Sequence, residues 1–178
     1  SLRRQRQMCI RDRNMFQLNF SATDATTGPT DTDLGSLPEW DLSDLYSSQD
    51  APELSRDLQW LDQECASFAA DYEGKLAHLD AEEMLNCVLR NERINTIAGR
   101  IMSFAGLRYY QLTVDGDRTK FMSDMQEKIT DFTTPLVFFT LELNRIDDAA
   151  LQALLNANDA LARYQPVFDR IRAMKPYQ

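Results

Sequence analysis

Apolar residues recur along this chain at helical rather than strand spacing. Leu54, Leu58, Leu61, Cys65, Phe68 and Tyr72 follow one another at steps of four, three, four, three and four, one stripe of a 3.6-residue period. Asp50 ahead of Pro52 and Glu53 reads as a capping box with proline in the first turn, and Gly74 supplies a stop, so the pattern predicts a first long helix between them. Asp80 with Glu83 forms a second capping box. Behind it Met84, Leu85, Val88, Ile94, Ile97, Ile101, Phe104 and Leu112 carry a second long helix. Gly99 and Gly106 lie inside that helix, where each costs about 1 kcal/mol against alanine, and the expected reason is a close helix crossing.

Asp115, Gly116 and Asp117 mark the next turn, and a third stripe then runs through Phe121, Met125, Ile129, Phe132, Leu136, Phe139 and Leu143. Pro135 interrupts it and is expected to kink or divide the helix near Thr134, since proline donates no amide and clashes with the preceding turn. After Pro135 the pattern is apolar nearly all round, as in a helix covered on several sides. The expectation is that Phe139 faces inward with Phe132 and Leu136, while Phe138 finds its partner in a further domain. Asp147 caps a short helix with Leu151, Leu154 and Leu155. Asn156 to Asp159 opens a last one with Leu161, Tyr164, Val167, Phe168 and Ile171, kinked at Pro166 and ended by Pro176. No period-2 strand pattern is present. The connections are short, so the fold class is all-α, an antiparallel bundle of about five helices.

Residues 1 to 36 stand apart. Residues 1 to 14 hold five arginines and one aspartate, while the chain as a whole carries a net charge of −9. These fourteen residues read as sequence not native to the protein, in front of a start at Met15. Residues 16 to 36 are rich in Ser, Thr, Asp and Gly and are expected to form a disordered tail, because so little apolar content cannot repay the entropy of ordering. The domain reading is therefore a leader and tail over 1–36 and one helical domain over 37–178. An acidic body lacks the basic stripe of a nucleic-acid footprint. No stretch approaches the roughly 18 apolar residues of a spanning helix, so no membrane partner is expected. Cys9, Cys65 and Cys87 make an odd count without a CxxC pair, which suggests neither a disulfide framework nor a zinc ribbon, and a reducing cytoplasm is the expected location.

Four strings carry a resemblance: LPEWDLSDLY at Leu37 to Tyr46, GRIMSFAGLRYY at Gly99 to Tyr110, PLVFFTLELNRIDD at Pro135 to Asp148 and RIRAMKPYQ at Arg170 to Gln178. In this order they resemble the helical N-terminal region of the oligoendopeptidase F family of zinc metallopeptidases, which are thimet oligopeptidase-like. The resemblance implies an enzyme that hydrolyses short peptides. It places the zinc, an HExxH helix and a third glutamate ligand in a C-terminal catalytic domain beyond Gln178, so the chain is expected to be a fragment truncated before its chemistry. The residues agree with that division. His78 is the sole histidine, so the two-histidine zinc helix cannot be built from this sequence.

No catalytic, cofactor-binding or metal-binding residue is therefore assigned, and zinc is expected in the parent enzyme only. His78, in a helix connection, reads as a surface residue. Cys65, inside an apolar stripe, reads as a small buried group. The acidic pairs Glu82 with Glu83 and Asp147 with Asp148 raise a carboxylate-based enzyme as an idea, but adjacent helical residues do not face each other and these sit at helix starts, where they complement the helix dipole. The expected partners are short peptides and the catalytic domain of the same chain. An alternative from another class is a stand-alone helical module whose Met and aromatic stripes line a groove for a partner helix.

Overall fold

The computed structural model describes residues 40–173 and 175. The expected leader and tail, as well as Pro176, lie outside the described residues. Within them the chain is all-α, with no strand. The elements are α1 (Pro52–Tyr72), α2 (Ala81–Gln111), α3 (Gly116–Thr133), α4 (Val137–Arg145), α5 (Asp148–Ala157), the single turn α6 (Asp159–Ala162) and α7 (Gln165–Arg172). Two 3-10 turns, Leu76–His78 and Thr134–Leu136, join α1 to α2 and α3 to α4.

The start of α1 differs from the expected capping box. Ala51, not Asp50, occupies the cap, and no side chain bonds the first amides. Ala51 is buried and its carbonyl accepts from Leu54 and Ser55, while the Asp50 amide turns back to Ser48 Oγ. Pro52 brings no N–H to satisfy, so one orphan donor is absent. At the other end Gly74 stops the helix with φ 77°, the left-handed conformation that glycine adopts without a Cβ penalty. The second capping box is present as read: Asp80 Oδ1 accepts from the Glu82 and Glu83 amides at 2.9 Å, and the Asp80 amide donates to Glu83 Oε2 at 3.0 Å.

Side-chain pairing fixes the direction of packing. Arg90 meets Asp71 and Glu64, Arg93 lies over Trp60, and Arg100 reaches Asp57, so α1 descends as α2 ascends. Likewise Phe104 packs edge-on against Phe121 and Arg118 reaches the Arg108 carbonyl, which sets α3 antiparallel to α2. The inner stripes meet in one apolar core, with Leu61, Phe68, Leu76, Met84, Ile94, Ile101 and Phe104 sealed from solvent. Residues 40 to 51 lie against α1 and α2 through Tyr46. Its ring is buried edge-on against Phe104, its hydroxyl donates to Asp57 at 2.6 Å, and Arg100 covers its face while donating to the Leu45 carbonyl. Trp40, the first described residue, is 62% exposed.

The glycines of α2 do not mark a close crossing. Gly99 is exposed, with nothing within 4 Å of where a Cβ would stand, and Gly106 would meet only the Tyr110 ring at 3.9 Å. Pro135 divides the third stripe as expected. Thr130, Thr133 and Thr134 each donate to the carbonyl four residues back at 2.7 Å, which loads the last turn of α3 just where the proline removes an amide. Pro166 acts more strongly than a kink. Asn158 caps α6 through the Ala160 and Leu161 amides, the helix breaks at Arg163, and α7 begins anew with Pro166 in its first turn. A ring that clashes with the carbonyl of Ala162 accounts for two short helices in place of one.

Candidate functional site

A groove beside α4 follows from how that helix is wedged. Phe138 and Phe139 are consecutive, so they point about 100° apart, and one neighbour cannot cover both. Phe68 of α1 nonetheless lies 6.0 Å from the Phe138 ring and 5.9 Å from the Phe139 ring, and the two are 8% and 7% exposed. The expectation that Phe138 waits for a further domain is thus corrected, because α4 sits between α1, the Leu76–His78 turn and α7 and is covered on adjoining faces. Val137, 59% exposed, and Leu141 remain on the outer face.

Glu142 ties α4 to this side. Its carboxylate accepts from the Gly74 amide at 2.7 Å and the Leu76 amide at 3.3 Å, so it caps the α1–α2 connection from another helix. Arg90 completes the seam: it bonds Glu64 and Asp71 at 2.8 Å and lies over the Phe68 and Tyr72 rings. Its hydrogen bond holds the Asp71 carboxyl below the usual carboxylate range.

On the other side α4 and α7 leave a groove of about 380 Å³ along α2. Phe139 and Leu143 from α4 and Val167, Phe168 and Ile171 from α7 give it an apolar floor, with Val88 of α2 at its base. Asn91, Glu92, Asn95 and Thr96 line the α2 wall. That wall is internally bonded. Asn95 donates to Asn91 Oδ1 at 2.8 Å, Thr96 donates to the Glu92 carbonyl, and the Tyr164 hydroxyl donates across to Glu92 Oε2 at 2.6 Å. The bond to Glu92 raises the Tyr164 pKa. At the far end of α7, Arg172 donates to the Leu143 and Ile146 carbonyls and to Asp148, fixing α7 across the α4–α5 turn. Such a slot can hold an apolar body beside an amide-rich rim.

The residues weighed from sequence take structural places. Asp147 caps α5 through the Ala149 and Ala150 amides, Asp148 pairs with Arg172, and Glu82 and Glu83 sit in the first turn of α2. His78 is exposed in the 3-10 turn. Cys65 and Cys87 are buried, and burial pushes their thiols up to about 11 and about 12. No three His, Cys, Asp or Glu side chains converge among the described residues, which therefore do not fit a zinc site. Nor is any helix there long and apolar enough to cross a membrane.

The described residues thus form an all-helical unit whose polar clusters serve its own packing. Residues 142–178, from Glu142 through the groove-lining α7, match the family described as Oligopeptidase F. Searches of curated proteins and of solved structures found no match.

Proposed function

We propose that the chain is the N-terminal helical lobe of a cytoplasmic zinc endopeptidase that hydrolyses short peptides, with the catalytic groups in a separate C-terminal domain. The observation that carries this reading is the family match over residues 142–178, the stretch that supplies Leu143 and the whole α7 side of the groove. In this reading the lobe forms part of the wall around the substrate. Its helices exclude water and folded proteins from the peptide by shape, and it holds no group that reacts. The outer face of α4 and the groove are then the surfaces turned toward the remainder of the enzyme. Reading the gene past the codon for Gln178 tests the proposal. An HExxH motif in the continuation is expected, and a long open frame without one would overturn it.

The groove itself favours a second reading, a stand-alone module that takes an amphipathic helix of a partner protein. Size-exclusion chromatography of residues 37–178 separates the two. A lobe with apolar faces meant for its own enzyme self-associates as concentration rises, whereas a module that functions alone stays monomeric.

A further inference from the structure

We draw no further inference here: the strongest candidate, the apolar groove between α2, α4 and α7 with Tyr164 bonded to Glu92 at its rim, belongs to the site already described, and nothing in the structure shows what covers it.

Discussion

The two sides of α4 are built from similar residues and end differently. Toward α1, Phe138 and Phe139 close on Phe68, Glu142 caps the adjoining turn, and Arg90 seals the seam with two carboxylates and two rings. Toward α7, Phe139, Leu143 and Phe168 floor an open groove whose lip carries Val167 at 49% exposure. Apolar content is therefore not what separates the closed side from the open one. The difference lies in helix length: on the closed side α4 meets the 21-residue α1, whereas α7 is only eight residues long and is fixed mainly at its ends, by Tyr164 and Arg172.

The largest effect should come from the closed side. Phe68→Ala removes a fully buried ring that touches Tyr72, Phe138 and Phe139, and a loss of about 3 to 5 kcal/mol is expected in urea unfolding. A loss under about 1 kcal/mol would mean that this side is as open as the groove.

Alkaline pH probes the same core. The Cys65 and Cys87 thiols have folded-state pKa values raised above the unfolded value, so their contribution is fully present below about pH 8.5 and is lost as pH rises toward the folded values of about 11 and about 12. Each group can lower stability by up to about 1.4 kcal/mol per pH unit in that window. Unfolding midpoints measured from pH 8 to 10 should fall, and a Cys65→Ala, Cys87→Ala double variant should fall less steeply. Identical slopes would remove the thiols from the account.

Glu142→Ala should cost about 1 to 2 kcal/mol, because two amides lose a charged acceptor, and Glu142→Gln should recover part of it. Equal losses for both variants would show that the carboxylate charge, not acceptance as such, does the tying. The smallest change runs the other way. Gly99→Ala, in an exposed helix interior with open space for the methyl group, should stabilise by about 0.5 to 1 kcal/mol. A destabilised variant would bring back a close crossing at Gly99.

What the sequence discloses is what a few neighbouring residues decide. The Asp80 and Glu83 box, the Asp147 cap and the break at Pro135 each depend on contacts within four residues, and all are present. Asp50 misleads because the buried Ala51, one residue on, takes the cap instead. Glu142, Arg90 and Tyr164 have no local signature, since their partners lie 68, 26 and 72 residues away and only the packed helices bring them together. The groove is illegible for the same reason: its stripes are readable one by one, but not which stripe ends against which. Phe138 shows the limit most sharply, because helical periodicity assigns a direction and not the number of neighbours waiting there.

Urea unfolding of Phe138→Ala beside Val167→Ala tests most directly whether α4 is sealed on one side and open on the other. The structure predicts a loss of about 3 to 5 kcal/mol for Phe138→Ala and under about 1 kcal/mol for Val167→Ala. Losses that are equal, or larger at Val167, would contradict it.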